Sequence, residues 1–237
     1  MKKTLKYLGA AALAFAFAGS AQAIPLADLL GGGSLTAGDK LFDKWQLIDQ
    51  VASDPALDPD YALIDVVPLN DGDDDPGPGI EILFGDQMTV EGDDFYAFSD
   101  LTIGFRVSTL GDKLIKDNSL TFTSGSLNFN DDLFNDLGLA VEEWVYDAVG
   151  NELAHKYIEA SVLDDEVTSL FPDSAEFAPQ DEVFVVKNIL VWSQDIGDTA
   201  ALGGVEQRFS QEVPEPATAL LFGLGLAGAG LARRRRV

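Results

Sequence analysis

Leu101-Thr102-Ile103-Gly104-Phe105-Arg106-Val107-Ser108 places an apolar side chain at every second position and small, polar or charged ones between. Side chains alternate faces along a β-strand, so the stretch reads as a half-buried strand with Leu101, Ile103, Phe105 and Val107 turned to a core. Residues 183–186 and 189–192 are apolar on both parities, interrupted by Lys187 and Asn188, and read as a central strand. Residues 142–146 and 153–162 flank 147–151, where Gly150 and Asn151 supply the turn chemistry of a hairpin. Shorter strands are expected at 61–67, 80–84, 87–90, 119–127 and 205–210, a helix at 41–51, and a short helix or turn near 131–137. Roughly nine strands separated by Gly, Asp, Asn and Pro clusters predict an all-β single domain, an antiparallel β-sandwich or jelly-roll-like fold, over 24–210. Gly31, Gly32 and Gly33 read as a flexible lead-in and 210–213 as a short spacer.

Charge narrows the choice of partners. The 237 residues carry 40 acidic and 15 basic side chains, a formal net charge of −25. Seven of the basic residues lie in the first six and last five positions, so the middle is more acidic still. Such a surface opposes nucleic acid and anionic lipid and favours cations. There is no cysteine, hence no disulfide framework, and the core must hold the domain alone.

Few residues announce chemistry. Asp71, Asp73 and Asp75 stand at i, i+2 and i+4 in Asp71-Gly-Asp-Asp-Asp-Pro-Gly-Pro-Gly79, a spacing that lets one loop aim several oxygens at calcium. The loop departs from the EF-hand template, with Pro76 where Gly is wanted and Ile82 where a bidentate Glu is wanted; a solvated acidic loop is the plainer reading. Adjacent acids at 93–94, 131–132, 142–143 and 164–166 point to opposite faces of a strand and make no ready catalytic pair. His155 is the sole histidine, which argues against an ordinary zinc site and leaves any serine triad hanging on one residue, so no catalytic residue and no enzyme activity is expected. Trp45, Trp144 and Trp192, with Tyr96, Tyr146 and Tyr157, could fill the core or stack on sugar rings; Trp192, within an apolar run, is expected in the core.

Both ends are processing signals by composition. Lys2, Lys3 and Lys6 precede an apolar run to Ala18, and Ala21-Gln22-Ala23 fits signal peptidase cleavage between Ala23 and Ile24, making 1–23 a signal peptide. Over 211–237, Val213-Pro-Glu-Pro-Ala-Thr218 leads into the uncharged, glycine-laced stretch 217–232 and then Arg233, Arg234, Arg235 and Arg236. As a helix that stretch reaches roughly 24 Å at about 1.5 Å per residue, marginal for a hydrocarbon core of about 30 Å, and the arginines favour a cytoplasmic C-terminus. Pro214, Glu215 and Pro216 with the two parts behind them resemble the C-terminal sorting signal of the PEP-CTERM proteins of Gram-negative-type bacteria. The resemblance implies an exosortase as processing enzyme, transient anchoring in the inner membrane, and delivery to the envelope, surface or exopolysaccharide matrix. The leading expectation is a non-enzymatic exported structural or interaction protein; a calcium- or polysaccharide-binding module and an extracellular glycan hydrolase are the alternatives. A pair of exposed aromatics on one sheet face would favour the module, two carboxylates converging in a cleft the hydrolase.

Overall fold

The computed structural model describes residues 22–72, 75–130, 135–164 and 166–213. Along them the chain forms β1 (Ile24–Pro25), α1 (Leu26–Leu30), β2 (Leu35–Ala37), β3 (Lys40–Ala52), a 3-10 turn (Pro55–Leu57), β4 (Asp65–Leu69), β5 (Gly79–Leu83), β6 (Thr89–Glu91), β7 (Ala97–Thr109) and β8 (Leu114–Asn128). It continues through β9 (Asp136–Tyr146), β10 (Glu152–Leu163), β11 (Glu166–Leu170), β12 (Asp173–Gln180), β13 (Glu182–Ser193) and β14 (Thr199–Glu212). The strands build two antiparallel sheets. One runs β1-β4-β5-β14-β8-β12 with β6 also on β14; the other runs β11-β10-β9-β13-β7-β3-β2. The chain changes sheet between β7, β8 and β9 and again between β12, β13 and β14, so the two layers form one sandwich.

The alternation at 101–108 is realised as expected: Leu101, Ile103, Phe105 and Val107 are buried in β7. Across the interior Phe42 meets Phe209 of the opposite sheet edge-on at 5.8 Å, and Trp45 stacks on Phe105 at 4.4 Å. β13 is central, paired with β7 and β9. Its burial alternates strictly, so the apolar residues of both parities are divided between an inner and an outer face. The 142–162 hairpin also forms, with Asp147 Oδ1 accepting from Val149 N and Asn151 N and Gly150 at φ +90°.

Several expectations are corrected. Residues 41–51 are strand β3, not helix. The register slips between Asp43 and Gln46 and again between Leu47 and Asp49, and each slip displaces the apolar side chains out of strict alternation into a spacing that imitates a helix. Residues 31–33 are no loose lead-in: Leu26 and Leu29 of α1 are fully buried, and Gly31 N closes the helix on Ala27 O. Ser210 to Glu212 belong to β14 rather than to a spacer. The expected strands at 61–67 and 87–90 begin later, at Asp65 and Thr89, after turns. Of the helix or turn near 131–137, residues 131–134 lie outside the described residues, and Asp136 and Leu137 open β9.

Candidate functional site

The outer face of the β9-β13-β7 sheet is where polar and aromatic side chains gather. Cross-strand pairing puts Phe98 opposite Trp192, and Trp192 opposite Gly138. A Cβ on Gly138 would stand 2.4 Å from Trp192 Cζ2, so the indole occupies the space that the glycine leaves open. Its Nε1 donates to Asp136 Oδ1 at 2.9 Å, which fixes the ring. Thus Trp192 is half-buried on the outer face and is not in the core. Beside it Tyr96 and Phe98 sit with ring centroids 6.2 Å apart, and Phe95 is 89% exposed. Asp94 and Tyr96 both have positive φ, +69° and +80°, an unusual conformation for residues with side chains and one that turns Phe95 outward between them. Asp93 Oδ1 accepts from Phe95 N at 2.9 Å and Asp94 N donates to Gln194 O, so the strained loop is closed by a local turn and pinned to the chain just after β13.

Further along the same face, His155 and Trp144 are cross-strand partners with rings stacked at 5.2 Å, and His155 Nε2 lies 2.7 Å from Glu142 Oε1. Tyr157 neighbours them and bonds Glu159; burial of the ring and then that carboxylate hold its hydroxyl well above the ordinary phenol range. From Trp192 to Val186, the partner of Trp144, is six residues of one strand, about 20 Å at about 3.3 Å per residue. The face therefore carries two aromatic clusters, each edged by carboxylates.

Inside the sandwich lies a constellation of different character. Glu143, Lys156 and Lys187 of one sheet and Asn118 and Gln207 of the other are almost completely buried. Glu143 Oε1 is 2.7 Å from Lys156 Nζ and accepts from Asn118 Nδ2 at 2.7 Å and Gln207 Nε2 at 2.9 Å, while Oε2 pairs with Lys187. Lys156 Nζ also donates to Asn118 Oδ1 at 2.5 Å. Burial presses the Glu143 carboxyl upward, but the two lysines outweigh it and leave it below the ordinary range. Lys187 is pushed down by burial, and Glu143 only partly restores it. A signal for this cluster stood in the sequence: Glu143, Lys156 and Lys187 all occupy the apolar parity of their strands.

The sequence-derived metal residues are only partly described. Asp71 pairs with Arg208 at 3.1 Å and Asp75 with Lys116 at 3.2 Å; Asp73 lies outside the described residues. Among the described residues no group of three His, Cys, Asp or Glu is placed to hold a metal ion. Elsewhere Asp195 and Asp198 each turn one carboxylate oxygen inward, and burial, then the charges of Asp198 and Asp94, raise the Asp195 carboxyl. An open cavity of about 280 Å³ between β8 and β10 is lined by Phe122, Leu127, Leu139, Ala160 and Phe171. Ala23 and Ile24 are described, and Ile24 pairs with Val66 at the sheet edge; the rest of the signal stretch, to residue 21, lies outside the described residues. So do Pro214, Glu215, Pro216, the apolar stretch 217–232 and Arg233 to Arg236. Among the described residues no helix is long and apolar enough to cross a membrane.

Comparison with solved structures gives faint likenesses. The enzymatically active domain of bacteriophage CBA120 tailspike protein 4 is 15% identical with a TM-score of 0.28, over 70% of this chain and 19% of the tailspike chain. TmCBM61, solved with β-1,4-galactotriose, is 10% identical with a TM-score of 0.24 over 69% of this chain and 87% of its own. TmCBM27, a carbohydrate-binding module studied for specific mannan recognition, is 8% identical with a TM-score of 0.24 over 70% and 98%. At these scores the likenesses bear on neither the fold nor the activity of this chain. No curated protein sequence matches it. A family model does: residues 212–236 match the PEP-CTERM protein-sorting motif, the segment that begins on the last residue of β14. The chain is therefore a PEP-CTERM sorting-domain-containing protein, carrying a signal that indicates export and placement at the cell surface or envelope.

Proposed function

We propose that the protein is a non-enzymatic, exported β-sandwich that holds neutral polysaccharide on the outer face of the β9-β13-β7 sheet once its sorting tail has delivered it. In this reading 217–232 spans the inner membrane with Arg233 to Arg236 on the cytoplasmic side until an exosortase acts at Pro214-Glu215-Pro216. The observation that carries the binding role is the cluster of Phe95, Tyr96, Phe98 and Trp192, with Phe95 almost wholly exposed at the tip of a strained loop. Aromatic faces suit the apolar C–H patches of sugar rings, and strained, exposed aromatics are poor choices for stability alone. Asp94 and Asp136 beside the cluster are acceptors for sugar hydroxyls. With a net charge of −25, polyanionic glycans are repelled, which leaves neutral ones.

The test is affinity electrophoresis and calorimetry of the full chain against soluble neutral and anionic polysaccharides. Neutral polymers are expected to retard it, and Phe95→Ala to weaken that binding about tenfold, the effect of roughly 1.4 kcal/mol. Binding to anionic polymers alone, or unchanged binding in Phe95→Ala and Trp192→Ala together, would reject the assignment.

A further inference from the structure

The interior cluster holds more positive than negative charge. Glu143 is the carboxylate shared by Lys156 and Lys187, and all three side chains are fully removed from water. A one-to-one ion pair can be tolerated inside a protein, but an extra buried ammonium is costly unless something neutralises it. The group next to that ammonium is not a second acid. It is the carboxamide of Asn118, whose Oδ1 is 2.5 Å from Lys156 Nζ and whose Nδ2 is hydrogen-bonded to Glu143 Oε1. Since a C=O bond is about 1.2 Å, Nζ lies at most about 3.7 Å from the amide carbon, within reach of the separations at which bound groups react. Amine, amide carbon and carboxylate are thus held together by two facing sheets, with the carboxylate touching both the attacking and the departing nitrogen.

We propose that Lys156 Nζ condenses with the side-chain amide of Asn118, with Glu143 as the proton carrier, to form an intramolecular isopeptide bond across the sandwich. Glu143 Oε1 takes a proton from the ammonium, and the freed lone pair of Nζ attacks Cγ. The tetrahedral carbon then collapses as Glu143 returns the proton to Nδ2. One C–N bond forms and one breaks; nothing is oxidised or reduced, and the amide nitrogen leaves as ammonia, carrying away the surplus proton as ammonium. What remains is a neutral amide beside a balanced Glu143–Lys187 pair, so the reaction removes the charge excess. Lys187 pairs with the other carboxylate oxygen, whereas the ammonium hydrogen-bonded to Asn118 Oδ1 is that of Lys156, which makes Lys187 a positioning residue and Lys156 the nucleophile. The bond ties β8 of one sheet to β10 of the other, strands that share no ladder.

Mass spectrometry of the purified full chain reads this directly. Trypsin has no site between Lys116 and Lys156 or between Lys156 and Lys187. The linked protein is expected to give one peptide, 117–187, uncut after Lys156 and lighter than its sequence by one ammonia. Glu143→Gln, with both reactants present, is expected to show the full mass and ready cleavage after Lys156, and Lys156→Arg likewise. A folded wild-type chain of full mass, cut after Lys156, overturns the proposal. So does linkage through Lys187, or ammonia loss with Lys156 still cleavable, which signals a succinimide at Asn118. Ammonia loss persisting in a folded Glu143→Gln chain overturns the role given to Glu143.

Discussion

Gly138→Ala should unseat Trp192. The added Cβ would lie 2.4 and 2.5 Å from two ring carbons of Trp192 and 2.8 Å from Ser161 Cβ, roughly an ångström inside ordinary contact on two sides. β9 is hydrogen-bonded to β10 and β13, so the backbone has little room to withdraw, and the indole must swing away. Overpacking of this kind costs about 1–3 kcal/mol. The lost bond from Nε1 to Asp136 adds about 1 kcal/mol at a half-exposed site. A total of about 2–4 kcal/mol lowers the melting temperature of a domain this size by about 4–16 °C. The assay is thermal unfolding followed by tryptophan fluorescence, with the native emission also shifting red as the ring enters water. Gly111→Ala is the matched control, because a Cβ there meets nothing within 4 Å and φ is not positive; it should melt at or slightly above the wild type. If the two variants melt together, the close contact of Trp192 with Gly138 is wrong, and the proposed binding surface loses its anchor.

Other outcomes follow from the ion pairs and the tail. Arg106 forks onto Asp43 at 2.8 and 2.7 Å and also reaches Glu182, and the bond to Arg106 holds the Asp43 carboxyl below its usual range despite burial. A depressed folded value means stability that is present above the unfolded pKa of about 3.9 and is lost as pH falls through the lower folded value. Asp43→Asn should therefore cost about 1–2 kcal/mol near neutrality, with the gap from wild type closing in acid in pH-dependent urea melts; a gap constant with pH would refute the pairing. The loop at 71–75 already has Arg208 and Lys116 as counter-cations. Millimolar calcium is expected to leave the melting temperature unchanged, whereas a rise abolished by Asp73→Asn would establish the loop as a calcium site. Glu215→Ala should leave export intact and hold unprocessed chain in the membrane fraction; normal processing would contradict recognition at Pro214-Glu215-Pro216.

The sandwich was legible wherever the side-chain period was clean. Leu101 to Val107 and the 142–162 hairpin needed no tertiary information, because alternation and turn chemistry are local. β3 was hidden because its two register slips change the parity of Phe42, Trp45 and Ile48 relative to one another, and only the partner strand reveals such slips. In β13, Lys187 looked like an interruption of an apolar run although it occupies the inner face, and Trp192 looked like core although it lies outside. Hydrophobicity ranks residues by type, while a strand assigns faces by position, and here the two disagree. The Glu143 cluster could have been suspected from three charges on apolar parity. Their meeting with Asn118 could not, since it depends on how one sheet is laid over the other. The aromatic surface was anticipated as a class of residue, but Phe95, its most exposed member, gave no signal because its orientation comes from the backbone of Asp94 and Tyr96.

β14 ends at Glu212, where the sorting motif begins, and it is an interior strand, paired to β8 along nearly its whole length and to β5 and β6 on the other edge. Only Val213 separates that strand from Pro214, so a load reaching the domain through the tail would enter at the end of β14. A pull on the tail loads β14 lengthwise, so that two ladders of hydrogen bonds must shear together instead of opening one by one as at a peeled edge strand. In the reading proposed above, an enzyme that acts on Pro214 to Pro216 works within a few residues of the end of β14, and lengthening that junction would widen its access.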